Sequence, residues 1–297
     1  MINFTGIKSI SAIKTNSVAS LSRHFQPLEN DSVELSPEAR LRAHSNKIFS
    51  RMSKFKIQDY KSLSKLEKSV LRQVNSSVKE AVDDTLKVAL KVKEKLDKNY
   101  GENNYVFCCI GTSPSGIARA LEFMGVETKY LPISQLKAYY EDDSYRKLED
   151  KFPPYQRFLE EQGLGSETVA NSDKRYLFYD YIYSGQSLSV FKNMMKEYFG
   201  LNLPNVDFHS ADYLCYSSCA KKIDPPQYAI DYVHKYMAMA EVEDIGGIPH
   251  LPLSEIDKID ECKFYENRTA KLFNFTLIDA LAKKKLLKDN PLNQKSL

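Results

Sequence analysis

The chain has no tryptophan, 11 glycines, five cysteines and no uninterrupted apolar run of membrane length. Without a stretch of ~18 apolar residues, no membrane-crossing helix is expected. The start carries no apolar h-region, so no cleavable Sec signal is expected either. The five cysteines (Cys108, Cys109, Cys215, Cys219 and Cys262) are odd in number. That count, in a chain long enough for a large core, favours a reducing compartment over a disulfide scaffold. Cys108 and Cys109 lie inside an apolar run and read as buried thiols. Cys215 and Cys219 stand close together, but the partners that a zinc site needs at the right spacing are missing. Neither sign of charge dominates: 42 Lys and Arg against 39 Asp and Glu leave a net +3. The chain as a whole therefore gives no reason to expect a nucleic-acid partner. Three motifs are also missing. There is no G-x-G-x-x-G fingerprint, no Walker A loop and no G-x-S-x-G elbow. The absence of tryptophan, beside 19 tyrosines, carries no functional reading.

What is present fits a globular chain. It has 297 residues, 42% hydrophobic and 27% charged, which suits one large α/β domain with extensions or two small domains. Residues 1–58 are rich in Ser, Asn, Lys and Arg with little periodicity and read as a flexible leader. Two readings of it stand. One is a disordered tail of a cytoplasmic protein. The other is an uncleaved export leader, as on bacterial secreted effectors. Inside it, Ser36, Pro37 and Glu38 form a helix-start pattern. From Gln58 to Tyr100 apolar residues recur at helical spacing, with a break expected at Asn75 and a stop at Gly101. Lys87, Lys91, Lys93 and Lys95 read as the solvated face of that helix.

The middle of the chain carries the candidate chemistry. Tyr105–Ile110 is a continuous apolar run, as in a strand buried on both faces. A loop Gly111–Gly116 follows, holding Thr112, Ser113, Pro114 and Ser115. Then come a helix Ile117–Met124, a stop at Gly125 and a second strand Val126–Ile133. This is a βαβ unit, which implies a parallel sheet. Its glycine-flanked, hydroxyl-rich loop can hold an anion on backbone N–H groups or be a plain tight turn. Gln135–Ser172 is polar, charged and aromatic, with short helices expected around Tyr139–Lys151 and Tyr155–Gln162. Its length between two strands suggests a functional flap or lid. Arg175–Gly200 reads as strand, acid (Asp180), a small polar loop (Ser184, Gly185, Gln186, Ser187) and helix. Helix N-terminal N–H groups lack internal partners, so such an arrangement suits a phosphate-bearing ligand. Val206–Cys215 and Tyr228–Val233 read as further strands, with Ser217–Gln227 a loop between them. His209 reads as a packed strand histidine or a substrate contact. Met237 and Met239 read as core fillers, and Ile256–Lys288 as an amphipathic helix with Lys283, Lys284 and Lys285 at its C-terminus.

The segment YLFYDYIYSGQSL resembles the ribose-phosphate motif of the type I phosphoribosyltransferase family. There, a buried strand leads through two acids into a Thr-Gly-x-Thr phosphate loop and a helix. Ser184-Gly185-Gln186-Ser187 stands for that loop and Asp180 for the second acid. Gly111–Gly116 stands where the family carries its pyrophosphate loop. The likeness covers residues 100 to 235. It departs from the family at Tyr179, where the first acid belongs, and at Tyr183, where purine-salvage members carry a further acid. The resemblance implies an α/β open parallel sheet, phosphoribosyltransferase-like, with N- and C-terminal helical extensions (59–100 and 236–297). It implies a glycosyltransferase-type site for a phosphorylated ribose or nucleotide. Asp180 would bind the ribose diol as the catalytic acid. Ser184, Gly185, Gln186 and Ser187 would hold the 5-phosphate. Gly111, Thr112, Ser113, Ser115 and Gly116, with Arg119 as charge partner, would hold pyrophosphate. Mg²⁺ is expected with a pyrophosphate donor, bound through substrate oxygens, and no protein ligand to a metal is assigned. The thinned acids suit equally a divergent enzyme or a binding module without turnover. A protein partner is compatible with the second. No membrane partner is expected.

Overall fold

A computed structural model of the chain describes residues 36–182, 186–201, 204–212, 221–223, 248–263 and 266–288. Its centre is a parallel sheet of β1 (Tyr105–Ile110), β2 (Thr128–Leu131), β3 (Arg175–Ile182), β4 (Val206–Asp212) and β5 (Lys221–Ile223). The order across it is β2-β1-β3-β4-β5. The chain therefore steps one way from β1 to β2, returns over β1, and then runs the other way. The order reverses between β1 and β3. β1 is apolar throughout because it is covered on both sides: all six residues are buried. Alternate residues feed two cores. Phe107, Cys109, Leu177 and Tyr179 enter one, while Val106, Cys108, Ile110 and Phe178 enter the other.

On the first face lie α4 (Ser76–Tyr100), α5 (Ser115–Phe123) and α9 (Arg268–Lys283). Three shorter helices pack on α9: α1 (Pro37–Phe49), α2 (Ile57–Ser62) and α3 (Lys65–Val74). On the second face lie α6 (Phe152–Glu161), α7 (Ser166–Ala170), α8 (Gln186–Glu197) and 3₁₀ turns at Leu136–Tyr139, Ser144–Lys151 and Leu253–Glu261. Among the described residues no helix is long and apolar enough to cross a membrane.

Several expectations need correction. The compact unit begins at Pro37, so residues 37–58 of the expected leader are structured. Ile48, Phe49, Phe55 and Ile57 are buried in the first core. The expected flap at Gln135–Ser172 is a packed layer, because Tyr145, Phe152, Tyr155, Leu159 and Val169 all point into the second core. The expected loop between the last strands contains β5. The C-terminal amphipathic run is broken at Cys262, where a 3₁₀ segment ends before α9 begins at Arg268. The expected breaks at Asn75 and Gly101 are found: α3 ends at Val74, and Gly101 has φ +88° after α4. Cys215, Cys219, Tyr228–Val233, Met237 and Met239 lie outside the described residues, as do residues 1–35.

One polar cluster fastens the early helices to α9. Asp279 is 4% exposed. It accepts from Arg72 (2.7 Å), from the Tyr60 hydroxyl (2.9 Å) and from Lys283 (2.6 Å). Burial pushes its carboxyl up, but the bonds from Arg72, Lys283 and Tyr60 outweigh that and hold it at about 2. A depressed carboxylate contributes stability above its unfolded pKa of ~3.9 and loses it as pH falls through the folded value. Asp279→Ala is expected to cost about 2 kcal/mol at neutral pH, since charged hydrogen bonds are lost while Arg72 can turn to water. Melting curves of the variant and the parent should converge as pH drops from near 4 towards 2. A constant gap across that window would remove the assignment.

Candidate functional site

In open α/β sheets ligands bind at the carboxyl ends of strands, in the crevice where strand order reverses. Here that crevice lies between β1 and β3, and the two candidate loops leave the sheet at those two strands. The first turns sharply at Gly111, whose φ is +66°. A side chain there would bring its Cβ within 2.9 Å of the Ile133 carbonyl oxygen. Gly111 N–H donates to Leu131 O at 2.9 Å, which holds the loop against the end of β2. Ser115 N–H then donates to Thr112 O (3.1 Å), closing the turn that starts α5. α5 begins at Ser115, earlier than the sequence suggests, because Pro114 sits at its N-cap. Ser115 and Gly116 are therefore buried in the first helical turn, while Gly111, Thr112 and Ser113 are partly exposed.

On β3, Asp180 stands within the strand, pairing with Ser210, two residues before the strand ends. It is half-buried. Tyr183, Ser184 and Gly185 lie outside the described residues. Gln186 and Ser187, both partly exposed, open α8. Two helix N-termini thus follow directly from the two strands that flank the crevice.

Tyr179, where an acid is expected by resemblance, belongs to the core. It is 0% exposed, and its ring lies 5.0 Å from that of Phe107. Burial pushes its hydroxyl well up, and the Asp180 charge adds to this, so it stays protonated. Burial likewise pushes the Cys109 thiol up, with Asp180 again adding to the effect, and it pushes Cys108 up as well. Neither thiol is an activated nucleophile. Among the described residues no group of three or more His, Cys, Asp or Glu is disposed to hold a metal.

Arg119 departs from its expected role. It lies in α5, with its guanidinium on Glu122 (2.9 Å) and near Glu266 (3.7 Å), and over the Tyr130 ring at 4.9 Å. Tyr130 donates its hydroxyl to Glu122 at 2.6 Å. Glu266 also accepts from Phe55 N–H and from Asn274, each at 2.7 Å. Two carboxylates already answer the Arg119 charge, so it serves to join α5, α9 and the early chain. Sequence reading missed this cluster. The available signal was an Arg and a Glu three apart within an otherwise apolar helix.

A second polar group was seen only in part. His209 is 3% exposed, and its Nε2 lies 3.0 Å from the Tyr100 hydroxyl. Tyr100 also donates to Asp207 (3.2 Å), which Arg175 reaches at 2.5 Å. His209 is thus a packed strand histidine in register with Tyr179. No protein-family model matches the chain, and neither a curated protein nor a solved structure matches it at a significant level.

Proposed function

We propose that this is a phosphoribosyltransferase-like protein that binds a phosphorylated ribose or nucleotide between the ends of β1 and β3 and acts at the ribose anomeric carbon. One observation carries the reading: loops that open α5 and α8 leave neighbouring parallel strands at the point where strand order reverses. The loop after β3 holds the 5-phosphate, with Gln186 and Ser187 supplying N–H and side-chain donors. Gly111, Thr112 and Ser113 cradle a pyrophosphate or second anion. Asp180 accepts from the ribose diol and opposes positive charge that develops on the ring. Mg²⁺ accompanies a pyrophosphate donor and neutralises its oxygens. The half-buried Asp180 carboxylate is the chemically suitable protein group beside it.

A second reading has its own support. Tyr179 fills the core where the family's first acid would stand, which leaves Asp180 to carry the charge. In that reading the site binds without turnover.

Calorimetric titration of the full chain with phosphoribosyl pyrophosphate and Mg²⁺, paired with a pyrophosphate-release assay, tests both. Saturable binding is expected, weakened about 10- to 100-fold by Asp180→Asn, since a hydrogen bond to a charged group is lost. Binding without release selects the second reading. If phosphoribosyl pyrophosphate, ribose 5-phosphate and mononucleotides all fail to bind, both readings are wrong.

A further inference from the structure

The positive charge of the chain is concentrated in one place. Residues 37–72 hold ten Lys and Arg against three Asp and Glu, a net +7; the whole chain is +3, so the rest of it totals −4. These residues form α1, α2 and α3, the layer packed outside α9. On α1 the buried side is Ser45, Ile48 and Phe49. Arg40, His44 and Lys47 are all exposed and recur at i, i+4 and i+7, so they form one stripe on the outer side. On α3, Lys65 and Lys68 recur at i and i+3, with Arg72 at i+7 held by Asp279. The stripes are joined: Arg51, just beyond α1, pairs with Glu67 in the first turn of α3. That same turn carries Leu66, which is 67% exposed. Among the described residues the other exposed large apolar side chain is Tyr140, 42% exposed, which lies beside the second-face layer.

We propose that this face adsorbs the protein onto an anionic lipid surface. Clustered Lys and Arg are drawn to the negative potential of such a leaflet, and Leu66 enters the headgroup boundary between them. A protruding aliphatic side chain among cations favours lipid over nucleic acid, which is gripped by exposed stacking aromatics. The aromatic of this face, Tyr60, is instead tied down: its hydroxyl donates to Asp279, and Lys68 Nζ sits 4.3 Å from the ring centroid. The expectation of no membrane partner rested on the missing span, which adsorption does not need. This proposal is independent of the ribose-phosphate reading.

The test is flotation of the full chain with phosphatidylcholine vesicles, with and without phosphatidylserine. Partitioning is expected only onto the anionic vesicles, and high salt should abolish it. Lys47→Ala, Lys65→Ala and Lys68→Ala combined should weaken it roughly 100-fold. Leu66→Ser alone should weaken it roughly tenfold. The same charge change on the other layer, Lys137→Ala, Lys147→Ala and Lys196→Ala, should leave it unchanged. Melting curves confirm that each variant is folded. Equal partitioning onto neutral vesicles, or an equal loss in the second triple variant, overturns the proposal. So does tighter binding to a single-stranded RNA oligonucleotide than to anionic vesicles at the same salt.

Discussion

Removing residues 1–58 is expected to unfold the protein, whereas a cut at residue 36 keeps the first-core contacts made by α1 and α2. The longer deletion takes away Ile48, Phe49, Phe55 and Ile57, none of them more than 7% exposed. Fully burying a large apolar side chain contributes about 1.5–3 kcal/mol. Four of them represent a gross loss of about 6–12 kcal/mol, against a whole net stability of about 5–15 kcal/mol. Entropy released by the missing segment offsets part of this. Three further losses compound it. Phe275 loses the ring of Phe55, whose centroid lies 6.1 Å away. Glu266 loses the Phe55 N–H, and Lys271 loses the Phe49 and Met52 carbonyls that it caps at 3.1 and 2.6 Å. The shorter deletion spares every one of these contacts. Thermal melts and gel filtration of the two truncated chains decide the matter. A cooperative melt of the 59–297 chain near that of the parent would show that α1 and α2 are dispensable.

Arg119→Met is expected to cost about 3–5 kcal/mol, the range for breaking one side of a buried ion pair. Methionine keeps much of the apolar stem, so the loss is chiefly one of charge. Arg119, Glu122 and Glu266 side chains are 13%, 14% and 1% exposed, leaving the two carboxylates little recourse to water. The deficit should depend on pH. Burial pushes the Glu266 carboxyl up, and Arg119 is the foremost of the groups that pull it back. An acid whose folded pKa is raised supports the fold fully below its unfolded value of ~4.3 and loses that support as pH rises through the folded value. Without Arg119 the folded value climbs further, so variant and parent should differ least in mild acid and most at alkaline pH. Adding Glu266→Gln to Arg119→Met should recover part of the loss. A neutral amide still offers an acceptor to Phe55 N–H and Asn274, and it carries no buried charge. Denaturant titrations across pH measure both effects. A deficit that stays flat with pH, or one that Glu266→Gln deepens, would falsify the account.

The parts of the fold that were legible in the sequence are those fixed by local pattern. A continuous apolar run could only be a strand covered on both sides, and Tyr105–Ile110 is one. Asn75 and Gly101 marked helix boundaries because their preferences are local. Residues 37–58 were misread as part of the leader because their apolar residues are thinly spread. Leu41, Ile48, Phe49 and Met52 do follow helical spacing, but Ser, Lys and Arg between them mask it. The supposed flap was misread in a related way. Tyrosine can bury a ring with or without a hydroxyl partner, so a segment rich in Tyr and charge looks like surface. Tyr145 and Tyr155 are instead among the largest fully buried side chains, beside Tyr105 and Tyr179. At the site, the strand, its acid and the following helix were visible in the sequence, and so was the loop after β1. That Arg119 would turn away to Glu266 was not, because this partner lies far along the chain, just before α9 begins. Only folding brings those groups together, and no local pattern encodes the meeting.

The tethers between α9 and the first hundred residues also bear on when the protein can fold. Phe55 meets Glu266 across 211 positions, and Tyr60 meets Asp279 across 219. The first-face core is therefore assembled from opposite ends of the polypeptide. During synthesis, α1 to α4 and β1 emerge long before the helix that seals them, so a translating ribosome carries them as an unsealed apolar surface. Native structure on that face waits until Lys283 has cleared the exit tunnel. Until then the nascent chain exposes the apolar residues that α9 covers in the finished fold.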